Sequence, residues 1–93
     1  EVCAGYAQSN GDGLIEFYVT KPVNKKTATF GNGTQVSFLA NSRSIVDKFY
    51  EVCLKAGGTS EGSGGERPEG SGVYYCYTRD LDGNKICAFT NNK

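Results

Sequence analysis

Val73-Tyr74-Tyr75-Cys76-Tyr77-Thr78-Arg79-Asp80-Leu81-Asp82-Gly83-Asn84-Lys85-Ile86-Cys87-Ala88-Phe89-Thr90 reads as two strands closed by a tight turn. Both arms are rich in β-branched and aromatic residues, which fit a pleated surface. The D-x-D-G motif at 80–83 suits a type I turn followed by a left-handed glycine, a three-residue loop (Leu81, Asp82, Gly83) with a bulge. Counting outward from that loop sets Asp80 opposite Asn84, Tyr77 opposite Cys87 and Cys76 opposite Ala88. Tyr75, Tyr77, Cys87 and Phe89 then share one face, and Cys76 points to the other. A two-residue loop would shift the pairing by one residue and set Cys76 against Cys87; the bulged turn fits the sequence better.

Upstream of the hairpin, Asn41 or Ser42 can cap a helix through Ser44 to Lys55 by accepting a hydrogen bond from an orphaned backbone N–H. Ile45, Phe49 and Cys53 recur at four-residue steps, and Val46, Val52 and Ala56 widen the same apolar stripe. Gly57-Gly58 ends it. If this helix packs on the hairpin, Cys53 and Cys76 approach one another. Between helix and hairpin, residues 59–72 (TSEGSGGERPEGSG) read as a flexible loop, too poor in apolar residues to bury much. Glu61, Glu66 and Glu69 within it read as solvated. Further out, Gln35–Ala40 alternates as a strand with Val36 and Phe38 on one face and Gln35, Ser37 and Leu39 on the other. Leu14–Thr20 is a second strand, dividing Ile15, Phe17 and Val19 from Leu14, Glu16, Tyr18 and Thr20. Val2–Ala7 is a short extended candidate.

Ninety-three residues make one domain with a thin core. Thirteen glycines against two prolines indicate many tight turns. Ten basic residues balance ten acidic ones, so no basic footprint points to nucleic acid. No apolar run approaches the roughly 20 residues that cross a bilayer. Glu1-Val2-Cys3 has neither the basic start nor the apolar stretch of a signal sequence, although a processed chain would look the same. The expected compartment is the cytoplasm, with secretion left open; Asn32-Gly33-Thr34 matches a glycosylation sequon that would matter only in a secreted chain. The four cysteines, Cys3, Cys53, Cys76 and Cys87, form no CxxC pair and have no histidine beside them. Structural zinc is therefore disfavoured. Buried or free thiols are expected, with one or two bridges the alternative.

Taken together, several of these segments resemble the vicinal oxygen chelate superfamily, the group of glyoxalases, bleomycin-resistance proteins and extradiol dioxygenases. The helix ending at Gly57-Gly58-Thr59, the Arg67-Pro68 step and the segment Val73 to Ile86 look like the closing half of its second module. Gly31-Asn32-Gly33-Thr34-Gln35-Val36-Ser37-Phe38 looks like that module's first strand. Ala4-Gly5-Tyr6 and Leu14-Ile15-Glu16-Phe17 look like the closing strands of a preceding module. The resemblance implies an α+β fold: a glyoxalase-like βαβββ module over 31–93, with the closing strands of a partial module over 1–30, in a curved mixed sheet with one main helix.

The same resemblance implies a divalent metal acting as a Lewis acid in a cavity, and often a dimer. This chain departs from the pattern. No opening strand, helix and strand of the first module, and so no first ligand, is found. Gln35 stands where relatives commonly carry His, and Cys87 stands where they carry Glu. Neutral Gln and a thiol that must first lose its proton are weak partners for a hard cation. If any metal binds, Glu16 and Gln35 are the ligands; the expectation is no cofactor.

The candidate ligand-binding residues are thus Glu16, Tyr18, Gln35, Ser37, Tyr75, Tyr77 and Cys87, lining a tyrosine-rich face that holds a small molecule. Glu16 also fits a solvated carboxylate, Cys87 a small apolar filler, and the tyrosines ordinary cross-strand packing. The alternatives are a metal-dependent lyase or oxygenase completed by a partner chain, and an inactive piece of a longer protein. A homodimer that closes the sheet between protomers is expected, since bare sheet edges are a liability.

Overall fold

In the computed structural model the backbone of residues 3–7 and 15–93 and the side chains of residues 17–93 are described. The elements run β1 (Cys3–Ala7), β2 (Ile15–Thr20), β3 (Gln35–Leu39), α1 (Arg43–Lys55), β4 (Thr59–Glu66), β5 (Tyr74–Arg79) and β6 (Lys85–Thr90). β1 and β2 pair antiparallel as a two-stranded sheet. The others form a mixed sheet in the order β3-β6-β5-β4, parallel between β3 and β6 and antiparallel elsewhere. This is the α+β fold expected from the sequence. The strand order carries the chain from one sheet edge, through the helix, to the opposite edge. No helix among the described residues is long and apolar enough to cross a membrane.

The β5–β6 hairpin has the pairing that its turn dictates. Tyr77 sits opposite Cys87 and Cys76 opposite Ala88. The Asp80 N–H donates to the Asn84 carbonyl at 3.0 Å. Asp80 also closes the loop with its side chain, Oδ1 accepting from the N–H groups of Asp82 and Asn84 at 3.0 and 2.9 Å. Gly83 supplies the left-handed residue, with φ of 89°.

Ser42 is the helix cap, its Oγ accepting from the Ile45 N–H at 3.2 Å. The buried stripe is rotated from the expected one. Val46 is fully buried, with Phe49 and Tyr50 packed around it and Cys53 half-buried. Ile45 and Val52, by contrast, are 48% and 54% exposed, and Ala56 is exposed too. Four-residue steps drift around a helix of 3.6 residues per turn. The face that meets the sheet follows 46, 49, 50 and 53, and leaves Ile45 and Val52 on its margins. Opposite it lie Cys76 and Ala88, with Cys76 Sγ 3.5 Å from the Val46 carbonyl.

The expected loop at 59–72 is corrected: its first eight residues are strand β4, paired with β5 and interrupted by irregularities between Ser60 and Gly62 and between Gly62 and Gly65. Its missing apolar content is no obstacle because the strand lies at the sheet edge and lies against α1 without large side chains. Glu66, expected to be solvated, closes the remaining turn. It accepts from the Gly70 and Gly72 N–H groups at 3.1 and 3.2 Å and pairs with Arg43 at 3.0 Å. These donors hold its carboxyl below the usual range, the Gly72 N–H first and Arg43 next.

Candidate functional site

Alternation along three neighbouring strands puts nine side chains in three rows on the face turned away from α1. The cross-strand partners in the first row are Gln35, Lys85 and Arg79; in the second Ser37, Cys87 and Tyr77; in the third Leu39, Phe89 and Tyr75. Chemistry therefore changes along the strands, from a polar cationic end to an aromatic and apolar end. Tyr75 stacks on Tyr77 at 5.9 Å between centroids and on Phe89 at 5.8 Å. Gln35 Nε2 donates to Ser37 Oγ at 2.9 Å.

Cys87 is fully buried at the centre of this face. Burial pushes its thiol up from the usual 9.0, against a smaller opposing contribution from the Ser37 hydroxyl. Burial likewise raises the Tyr77 hydroxyl above 10.0. Cys53, Cys76 and Cys87 are free thiols. The side chain of Cys3 lies outside the described residues.

Two cations converge on Tyr77. The Arg67 guanidinium and the Lys85 ammonium each lie 5.0 Å from its ring centroid. A positive charge over a ring face is drawn to its negative quadrupole by about 0.5–1 kcal/mol at exposed sites. Arg67 reaches the ring because β4 is bulged. Where the β4–β5 pairing slips between Gly62 and Gly65, the Tyr75 carbonyl takes Arg67 Nη1 at 2.7 Å, and the Ser63 carbonyl takes Nη2 at 2.7 Å. A Cβ at Gly62, whose φ is 151°, would meet Arg67 Nη2 at 2.8 Å. That glycine leaves room for the guanidinium.

The cationic row borders a cleft of about 240 Å³ walled by Phe30, the turn 31–34, Gln35, Arg79 and Lys85. Arg79 stacks 5.6 Å from the Phe30 ring, pairs with Glu61 at 3.4 Å and donates to the Gly83 carbonyl at 2.8 Å.

Five of the expected site residues, Gln35, Ser37, Tyr75, Tyr77 and Cys87, thus occupy one face. Tyr18 is on β2, outside these three rows. It is 56% exposed and lines a cleft of about 510 Å³ with Pro22, Val36, Asn84 and Ile86, which adjoins the smaller one and shares Gly31, Thr34 and Lys85 with it. The cause is the seat of the β1–β2 pair: Phe17 packs edge-on against Phe38, which itself contacts Phe49 of the helix. β2 is thereby held against the helix side of the sheet. Glu16 belongs to β2 by its backbone, and its side chain lies outside the described residues.

Sequence reasoning missed Arg67, Lys85 and Arg79. Lys85 and Arg79 were available from the hairpin count, since both alternate onto the Tyr77 face. Arg67 was hidden by reading β4 as a loop.

Of the positions where the resemblance puts metal ligands, Gln35 and Cys87 are weak partners for a divalent cation, and the Glu16 side chain lies outside the described residues. Gln35 is neutral: its Nε2 donates to Ser37 Oγ, and its Oε1 could offer a cation only an uncharged oxygen. The Cys87 thiol resists losing its proton, whereas a thiol binds metal as thiolate. Lys85 and Arg67 flank the same row with positive charge. Among the described residues, no three His, Cys, Asp or Glu side chains converge as a metal cluster.

No protein-family model matches the chain, and no curated protein sequence does either. Among solved structures, the chain is similar to a glyoxalase/bleomycin resistance protein from Albidiferax ferrireducens T118, with 36% identity and a TM-score of 0.76. That match covers 92% of this chain and 73% of the other. A hypothetical protein from S. aureus shares the fold, with a TM-score of 0.57 at 23% identity over 64% of this chain and 50% of its own.

Proposed function

This chain belongs to the glyoxalase/bleomycin resistance family of the vicinal oxygen chelate superfamily, and from that premise we propose that it binds a small molecule without a metal. The ligand lies on the tyrosine-lined, helix-free face. One observation carries this reading. At the centre of the face stand a buried protonated thiol and an aromatic ring flanked by two cations. A thiol that keeps its proton and two nearby cations disfavour a divalent ion, and the ring cluster of Tyr75, Tyr77 and Phe89 gives a flat apolar molecule a surface to lie against.

The residues divide the work simply. Tyr75, Tyr77 and Phe89 supply the stacking surface, and Gln35 and Ser37 supply polar tips that fix orientation. Arg67 holds Tyr77 in place from the β4 side. Cys87 fills the floor. The second protomer of a homodimer would cover the outer edge of β3, where Gln35, Val36, Ser37 and Leu39 are exposed.

A thermal-shift screen of aromatic small molecules, run with and without EDTA, tests the proposal. Hits that raise the melting temperature equally in both buffers, and fail with Tyr77→Ala, support it. Hits that need nickel, zinc, iron or manganese overturn the metal-free reading, and no hit at all overturns binding.

A further inference from the structure

Asn32-Gly33 forms the turn that leads into β3, and both residues are exposed. Gly33 has φ of 118°, and a Cβ built on it would meet nothing within 4 Å. Among the described residues, neither the Gly33 N–H nor the Asn32 amide has a hydrogen-bond partner. Comparable groups in the neighbouring hairpin loop are tied down. Asn84 Nδ2 donates to Asp80 Oδ2 at 3.0 Å, and the Asn84 N–H donates to Oδ1 at 2.9 Å. In the Asp82-Gly83 step, the Gly83 N–H is committed to the Asp80 carbonyl at 3.0 Å.

An asparagine followed by glycine holds an electrophile and a nucleophile side by side. The Gly33 nitrogen, on giving its proton to hydroxide, can bond to Asn32 Cγ. The Cγ–Nδ2 bond then breaks and ammonia leaves. Water opens the resulting cyclic imide at either carbonyl, giving aspartate or isoaspartate at position 32. Water is consumed and ammonia released, with no oxidant, reductant or metal. Glycine favours this closure because it has no Cβ to cover its nitrogen and no steric barrier to the main-chain rotation that closure needs. A hydrogen bond on the N–H or on the side-chain amide would oppose it, and Asn32-Gly33 has neither.

We infer that Asn32 is a site of spontaneous deamidation in the folded protein, and that the reaction turns a neutral wall of the smaller cleft into an anionic one. Asn32 lines that cleft with Gln35, Arg79 and Lys85. The new carboxylate therefore arises where two cationic side chains are already present, and opposite charges attract. It also tips the balance of ten basic and ten acidic residues to the acidic side. The isoaspartate product further routes the main chain through the former side chain, just before β3 begins at Gln35. None of this depends on what the tyrosine-lined face binds.

The full chain, held in heavy-oxygen water at mildly alkaline pH both folded and in guanidinium, gives the test when peptides are mapped by mass. The expected products are oxygen-labelled aspartate and isoaspartate at position 32, the latter accepting a methyl group from a protein-isoaspartate methyltransferase. The folded chain should react less than about tenfold more slowly than the denatured one, because the turn exposes both groups without an opening step. Asn84 should change far more slowly than Asn32 in the folded chain, and Asn32→Gln should remove the acidic form that ion exchange resolves for this site. The other Asn-Gly step, Asn10-Gly11, lies outside the described residues and falls in a separate peptide. An Asn32 that stays intact in the folded chain while the denatured chain reacts would overturn the inference. So would a folded chain that reacts more than about tenfold more slowly, since the turn would then need to open first.

Discussion

Cys87 is where the chain's chemistry departs furthest from a metal-binding relative, and its behaviour is set by burial. Its thiol and that of Cys76 are both raised above the usual 9.0, in each case chiefly by desolvation. A group whose folded value is raised binds its proton more tightly when folded. Its stabilising contribution is full below pH 9.0 and is lost as pH climbs through the higher folded values. Denaturation midpoints should therefore hold up to about pH 9 and fall above it, a fall reduced in Cys76→Ala/Cys87→Ala relative to its own neutral-pH midpoint. Under native alkylation at mildly alkaline pH, mass spectrometry should find Cys53 modified before Cys76 and Cys87; equal labelling would show that the thiol is accessible. Gly62 is the second critical residue. Gly62→Ala puts a Cβ on a residue with φ of 151° and 2.8 Å from Arg67 Nη2, and should cost about 1–3 kcal/mol through backbone strain together with displacement of the guanidinium. Urea denaturation measures that, and an unchanged midpoint would mean that Gly62 does not hold this left-handed conformation.

Among the elements, the hairpin was fully legible. D-x-D-G admits few loops, and each fixes every cross-strand partner, so Tyr77 opposite Cys87 followed from counting. The helix was legible in extent but not in rotation, because apolar residues surround more than half its circumference and only packing selects among them. β4 was not legible. Its residues, TSEGSGGE, have neither alternation nor β propensity, and the strand is held by the vacant edge of β5 and by the side chains of Arg67 and Glu66. With it went Arg67, while the seat of Tyr18 on β2 reflects a sheet-to-sheet contact that no local pattern encodes. The rotation of α1 yields a paired expectation. Val46→Ala removes two methyl groups from a fully buried site and should cost about 2 kcal/mol. Ile45→Ala, at 48% exposure, should cost well under half of that. Thermal or chemical unfolding compares the two, and the reverse order would restore the stripe through Ile45.

For the whole molecule, the β3-β6-β5-β4 order leaves β3 paired only to β6 among the described strands. An edge with Val36 at 37% and Leu39 at 71% exposure is suited to pairing with a second copy. Light scattering after size exclusion should give twice the monomer mass, and Leu39→Pro should return it to the monomer, because the N–H groups of 36, 38 and 40 face β6 and that of Leu39 faces the open edge. A monomeric wild type would contradict the dimer and leave the binding face untouched.

The central claim is that the helix-free face binds a small aromatic molecule with no metal in the site. Amide NMR of metal-stripped protein titrated with 2-naphthoate tests it most directly. Saturable shifts concentrated in residues 37–39, 75–77 and 87–89, unchanged by EDTA, are expected. Shifts confined to the Tyr18 cleft, or appearing only once a divalent cation is added, would contradict it.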